Sequence, residues 1–262
     1  MFSLNYKSLS RFFAIIFPIL YSKIQNMKHR ILFLVLLLMG FGALGFRYLS
    51  VERIMMEMDS QSLHRGKRAD VKASLYYQAF DGRLVTRYTQ PVEQVMITNN
   101  KGELAIFNEK DHTVYRTQSL EYSSENNLIY FFLQGKTSDL GLQQMGFQLM
   151  DTRFEDGMVV TRWFPPSGMY HLFSQIELVH ENYLPIFTGY YDTDKKLVKK
   201  VYYTDYRQFP EITLPMTITE FNYLPAGDSI VNRLKFSQVQ INQRAVSSWF
   251  NFSIPHDAKI IE

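Results

Sequence analysis

From about residue 70 onward, runs of Val, Ile, Tyr, Phe and Thr alternate with clusters of turn residues at short intervals. That pattern predicts an antiparallel β-protein. Asp81-Gly82 is placed to join strands Leu75–Phe80 and Leu84–Tyr88, and Asn99 to Gly102 joins Val92–Thr98 to Leu104–Asn108. Asp156-Gly157 joins Phe147–Phe154 to Met158–Phe164 in the same way. Further strands are expected over Leu184–Tyr191, Leu197–Tyr206, Leu214–Tyr223 and Ile230–Gln240, with Asp192 to Lys195, Phe209-Pro210 and Leu224 to Asp228 between them. Phe250–Ile254 is expected as the last strand.

One segment interrupts the strands. Ser123-Ser124 can cap a helix, Leu128, Phe131 and Phe132 are spaced for one apolar face, and Gly135 closes it. Thr137 or Ser138 then caps a second helix through Met145. Near the start, Val51, Ile54, Met55 and Met58 predict a helix over Arg47–Leu63. Heptads, long linkers and repeats of fixed period are missing, so residues 47–262 read as a single domain. Tyr76-Tyr77, Tyr190-Tyr191 and Tyr202-Tyr203 put a ring on each face of the sheet, because side chains on a strand alternate. Both faces then need cover. A sheet curved around an apolar hollow, with helices closing one side, answers that need; rings that fill a sandwich core are the alternative.

The region before the domain has a different character. Residues 1–46 hold Lys7, Arg11, Lys23, Lys28 and Arg30 and no acid, which leaves 23 basic against 25 acidic residues, net −2, for residues 47–262. A nucleic-acid footprint is therefore not expected. Met27 to Arg30 is a short basic stretch, and Ile31 to Phe46 is a 16-residue apolar run that softens into Gly and Ala. This is the layout of a secretory signal, with Ala43 and Gly45 as the small residues before a cleavage site; an uncleaved anchor is the rival reading. Both put the domain outside the cytoplasm. Residues 1–26 read as an upstream extension before a start at Met27, with no assigned function.

The chain contains no cysteine, which excludes disulfides, thiol nucleophiles, thiolate metal sites and a lipidated cysteine. It also lacks a Gly-x-Ser-x-Gly elbow, a His-Glu-x-x-His helix, a phosphate-binding glycine loop and a dinucleotide fingerprint. His171 and His180 with Glu177 and Glu181 form the one mild cluster of ligand-type residues, and strand parity sets His180 apart from His171 and Glu177. Ser167-Gly168 after Pro165-Pro166 is a turn by composition. No metal, cofactor or catalytic residue is expected. Lys195-Lys196 and Lys199-Lys200 beside Asp192 and Asp194 read as a solvated hairpin end, or as a docking patch for an anionic surface.

Tyr88-Thr-Gln-Pro-Val-Glu93, Val95-Met-Ile-Thr98, Gly102 and Leu104-Ala-Ile-Phe-Asn108 together resemble the hairpin of the LolA-like periplasmic lipoprotein carriers, also called lipoprotein-sorting proteins. The order of later pieces is similar too: the helical insertion over Ser124–Met145, the hairpin Phe147–Pro165, Phe173–Val179 before Leu184-Pro185, Leu214-Pro215, Val239 to Asn242, and Phe250 to Ala258. The resemblance covers roughly residues 70–260. Two places depart from it: Ala105 stands where the family often has Trp, and Ala79-Phe80 stands where it has an Arg-Pro pair that ties a lid. The short segment ahead of Ala69 implies a reduced first helix and strand.

The resemblance implies a mainly β (α+β) fold: a curved, incomplete antiparallel half-barrel with short helices covering its concave face, preceded by an N-terminal apolar helix. It implies a monomeric, non-enzymatic periplasmic carrier that takes acyl chains of lipoproteins or lipids from an inner-membrane donor complex towards an outer-membrane acceptor. A membrane-anchored sensor or interaction module built on the same half-barrel is the alternative. Met96, Phe107, Leu128, Phe131, Phe132, Met145 and Phe164 are the expected lining of the hydrophobic cavity, because Met and aromatic side chains adapt to irregular apolar guests.

Overall fold

The alternation of apolar and polar positions is realised as strands that meet their neighbours almost without interruption. The computed structural model describes residues 50–126, 128–225 and 227–261. The expected export segment, the upstream extension and the apolar N-terminal helix lie outside the described residues. In chain order the strands are β1 (Arg53–His64), β2 (Lys67–Gln78), β3 (Arg83–Gln90), β4 (Gln94–Thr98), β5 (Glu103–Asn108) and β6 (Thr113–Gln118). After one helix, α1 (Leu128–Leu133), come β7 (Gln148–Glu155), β8 (Met158–Phe164), β9 (Gln175–Glu181) and β10 (Leu184–Tyr191). The chain continues through β11 (Leu197–Gln208), β12 (Thr213–Tyr223), β13 (Ser229–Ile241) and β14 (Lys259–Ile261).

All fourteen strands belong to one open sheet of order β14-β6-β5-β4-β3-β2-β1-β13-β12-β11-β10-β9-β8-β7. Two antiparallel meanders, β1 to β6 and β7 to β13, are sewn together where β1 pairs with β13. Only β14 runs parallel to its neighbour, along β6. Adjacent strands within a meander are linked by short turns, except β8 and β9, which are joined by the longer segment 165–174, so local pairing accounts for most of the sheet and the β1–β13 seam is the long-range closure.

The two faces carry separate cores. Leu75, Tyr77 and Leu84 on one side of β2 and β3 join a large cluster with Ile54 and Met56 of β1, Trp163 of β8, Ile176 and Leu178 of β9, Tyr203 of β11 and Met216 of β12. Strands as far apart in the order as β3 and β8 contribute to this one cluster, and the sheet is curved with α1 on this side. It is the concave face, and Phe131, Phe132 and Leu133 of α1 sit within its core. The intervening residues Tyr76, Val85, Val95, Ala105, Phe107 and Val114 form a second cluster on the convex face. There the C-terminal segment lies across β2 to β6 as a strap, with Phe250 buried and Trp249, Phe252, Ile254 and Ala258 packed beside it. Gln78 Nε2 donates to Phe250 O at 2.9 Å, the Arg83 guanidinium donates to Phe252 O, and the Arg87 guanidinium stands 4.8 Å from the Trp249 ring centre.

Several expectations need correction. Residues 53–64 form β1 and no helix, and this first strand is not reduced: all twelve residues pair with β2. Ile54, Met56 and Met58 alternate onto the concave face, and a run of adjacent methionines satisfies strand and helix spacing equally well. The second helix through Met145 is a series of single turns. Leu140 at φ 46°, Gly141 at +79° and Gly146 at +86° cannot continue a helix, and the Asp139 carboxylate takes the amides of Gly141 and Gln143. Phe250–Ile254 is no strand; Ser247 caps a 3₁₀ turn over Ser248–Asn251 and the rings turn inward to the strap interface. Strand β6 was not foreseen, and β2 begins eight residues earlier than the apolar run Leu75–Phe80 suggested.

Candidate functional site

The site is built around six residues. Helix α1 presses Phe131, Phe132 and Leu133 onto the concave core, with Ile129 and Tyr130 partly buried beside them. Phe132 is 1% exposed, and its ring centre lies 5.7 Å from that of Tyr203 and 6.5 Å from that of Tyr206. Phe131 is held from the other side by the turn segment that follows. A side chain at Gly141 would place its Cβ 2.2 Å from the Phe131 ring, so only glycine lets this loop lie against the helix.

Between α1 and the sheet are two small apolar hollows that share Met56 and Ile129. One is lined by Leu75, Tyr77, Leu84 and Leu133, with about 20 Å³ of free space; the other by Phe132, Met216, Ile218 and Phe236, with about 10 Å³. Each has room for about one water-sized molecule and none for an acyl chain. Under α1 the apolar face is thus filled.

Beyond α1 the concave side opens. A groove of about 660 Å³ runs between Gly135, Thr137 and Ser138 on one side and Val159, Thr161 and His180 of β8 and β9 on the other. Phe154, 81% exposed, and Tyr183, 95% exposed, stand at its rim. His180 is buried, and its Nε2–H donates to Thr137 O at 2.8 Å, since a carbonyl can only accept. That bond ties the segment following α1 to the sheet.

The polar lining of the first hollow is Ser124, Tyr77 and Tyr130, and Tyr190, Tyr203 and Tyr206 belong to the surrounding concave core. Burial pushes Tyr77 and Tyr190 up to about 12, and raises Tyr203 and Tyr206 further in the same direction. These rings therefore remain neutral. Tyr203 Oη and Thr188 Oγ1 are 3.1 Å apart, the Tyr206 hydroxyl donates to Pro185 O, and the Gln134 side chain bonds the Tyr77 hydroxyl. The hydroxyls of Tyr77, Tyr203 and Tyr206 are thus neutral and internally satisfied within an apolar core.

The expected lining residues do not all come together. Phe131 and Phe132 lie at the centre of the concave core. The side chain of Leu128, at the start of α1, lies outside the described residues. Met96 is half-buried on the concave side of β4 but outside the cluster, opposite Thr86 and Ile106. Phe107 faces the strap on the convex side, 6.4 Å from Phe252. Met145 is exposed in the turn segment, and Phe164 is partly exposed at the end of β8, 5.1 Å from Tyr170. Sequence reading passed over Met56, Trp163, Ile176, Met216 and Phe236, all of which line or back the hollows. Strand parity marks them as inward-facing but cannot say which face lies under a helix. Among the described residues no group of three or more His, Asp or Glu gathers as a metal set; His171 is exposed and Glu177 lies 3.5 Å from Arg153.

An open curved antiparallel sheet with a helix on its concave face defines a half-barrel. No family model and no curated protein matches the chain. Solved structures do, and they show that the fold is LolA-like. A DUF1329 family protein from Desulfovibrio piger superposes with a TM-score of 0.54 at 14% identity over 76% of this chain and 90% of its own. A LolA superfamily protein from Nitrosomonas europaea gives 0.50 at 13% identity over 73% and 87%. A domain described as an outer membrane lipoprotein-sorting protein, from Vibrio parahaemolyticus, gives 0.50 at 12% identity over 75% and 87%.

Proposed function

We propose that this chain is an exported, non-enzymatic carrier that shelters the acyl chains of a lipoprotein or related lipid between α1 and the concave face, and moves them from the inner membrane towards the outer membrane. The observation that carries this reading is that a six-residue helix covers the apolar concave face. A helix that short is unstable by itself and holds its place only by packing. Three of its side chains occupy the space that hydrocarbon would take. Exchange of Phe131, Phe132 and Leu133 for methylenes substitutes one apolar cover for another, at about 25 cal/mol per Å² on both sides of the exchange. The balance is then close enough for a membrane or partner to tip it in either direction. The open groove at His180 offers the first methylenes a place to enter beside α1. The basic stretch and apolar run over residues 27–46 support export, and the lipoprotein-sorting description of the Vibrio parahaemolyticus domain supports the cargo class.

The test is native mass spectrometry of the protein extracted gently from cell envelopes, paired with titration of a fluorescent fatty-acyl probe. Added masses of lipid size, displaced by the probe, are expected. Release of bare protein that also ignores the probe up to its solubility limit overturns the reading.

A further inference from the structure

We propose that one end of the sheet is a docking surface for an anionic lipid bilayer. The register places the β1–β2, β10–β11 and β12–β13 turns side by side at this end: His64 pairs with Ile230, Tyr223 with Ser229, and Tyr191 with Leu197. Residues 64–68, 192–200 and 224–229 together hold seven Lys and Arg against three Asp, net +4, in a domain whose residues 47–262 total −2. The positive charge is therefore gathered by the fold from turns far apart in the sequence.

Arg68 and Lys199 are paired with Asp70 and Glu220, which lie just outside these ranges, and two of the three acids within them are engaged. Asp228 is 2.7 Å from Arg65 and 3.2 Å from His64, and Asp192 accepts the amides of Asp194 and Lys196. Lys67, Lys195, Lys196 and Arg233 have no carboxylate at ion-pair distance among the described residues. They project from the turns and from β13, and all are exposed.

Charge alone would suit any polyanion; the neighbouring side chains favour a bilayer. On the convex face, Lys200, Phe221, Val231 and Leu63 follow one another across β11, β12, β13 and β1. Leu63 is 48% exposed and Tyr202, next to Lys200 on the same face, is 36% exposed. Lys200 Nζ rests 4.7 Å from the Phe221 ring centre and 5.5 Å from that of Tyr202, so the cation sits over rings, with its stem along apolar surface. Lysines around partly exposed aromatic and aliphatic side chains match the headgroup region, where anionic lipid attracts the cations and the interface accepts the rings. This surface is separate from α1 and its hollow, and it does not depend on whether hydrocarbon binds there.

The experiment adds the exported protein to phosphatidylcholine vesicles with and without phosphatidylglycerol, and reads partition together with amide exchange in the three turns. The expected result is binding and turn protection only with phosphatidylglycerol, both suppressed by high salt. Lys67→Gln/Lys195→Gln/Lys196→Gln, three exposed positions, should lower the anion-dependent partition about 100-fold with an unchanged melting temperature. The charge-reversed Lys67→Glu/Lys195→Glu/Lys196→Glu should abolish it. Protection of the turns that is equal on both vesicles, a triple Gln variant within twofold of the parent, or capture by heparin without binding to vesicles each overturns the proposal.

Discussion

At the scale of single residues, the concave core holds rings whose hydroxyls burial keeps neutral well above pH 7. Tyr77 and Tyr190 are pushed up to about 12 from an ordinary value of 10.0 by burial. A raised native value means the folded state holds its proton more tightly than the unfolded one. The stability this contributes is fully present below pH 10 and is lost as pH rises through about 12. Alkaline titration should therefore show exposed tyrosines ionising first, with a second group ionising only as circular dichroism reports unfolding. Seventeen tyrosines titrating together in an intact fold would contradict it. His180 makes a different kind of contribution. His180→Ala removes the donor to Thr137 O, at a cost of about 1 to 3 kcal/mol, and should speed amide exchange across residues 134–147 while leaving β11 to β13 protected. His180→Gln, which keeps a donor, should recover part of the protection. Nothing in the spacing of His171, His180 and their acidic neighbours announced this role. It depends on where the segment after α1 comes to rest.

At the scale of elements, α1 was legible and its surroundings were not. The apolar spacing and Gly135 located the helix, because periodicity is local, but Ser123 and Ser124 do not cap it: they stand in the turns before Leu128, where Ser124 Oγ donates to Gly82 O. The same reasoning misread β1, where Ile54, Met55, Met56 and Met58 fit two periods at once, and pairing with β2 and β13 decided between them. It misread the C-terminal aromatics for the same reason: Phe250 and Phe252 are spaced like a strand but serve as a strap. Phe132→Ala should cost about 3 to 5 kcal/mol in stability, since a fully buried ring leaves a cavity against Tyr203 and Tyr206. It should also enlarge the hollow, so that a fatty-acyl probe binds as well as before or better. Stability comes from denaturant melts, and a fall in probe affinity in parallel with stability would show that Phe132 is core alone. Phe250→Ala should destabilise to a similar extent through the convex face, with probe binding unchanged.

At the scale of the molecule, two cores on opposite faces share one sheet, and its two tryptophans report on them separately: Trp163 in the concave core and Trp249 in the strap against the convex one. Single-tryptophan variants should unfold at coincident denaturant midpoints if the β1–β13 seam makes the sheet one cooperative unit. Acyl ligand should shift the emission of Trp163 and leave Trp249 unmoved; the opposite pattern would place the guest on the convex face. The sequence by itself determined that this is an antiparallel protein of consecutive hairpins, because alternation and turn residues act over a few neighbours. It also determined α1 and the excess of rings over what one face can bury. Tertiary structure alone decided which face is concave, that the first and last long strands close the sheet at its middle, and that Phe107 belongs under the strap while Phe132 belongs in the hollow. Parity along a strand sorts side chains into two sets, but the direction in which a sheet curls, and what then covers each set, arises only when strands distant in the chain are brought together.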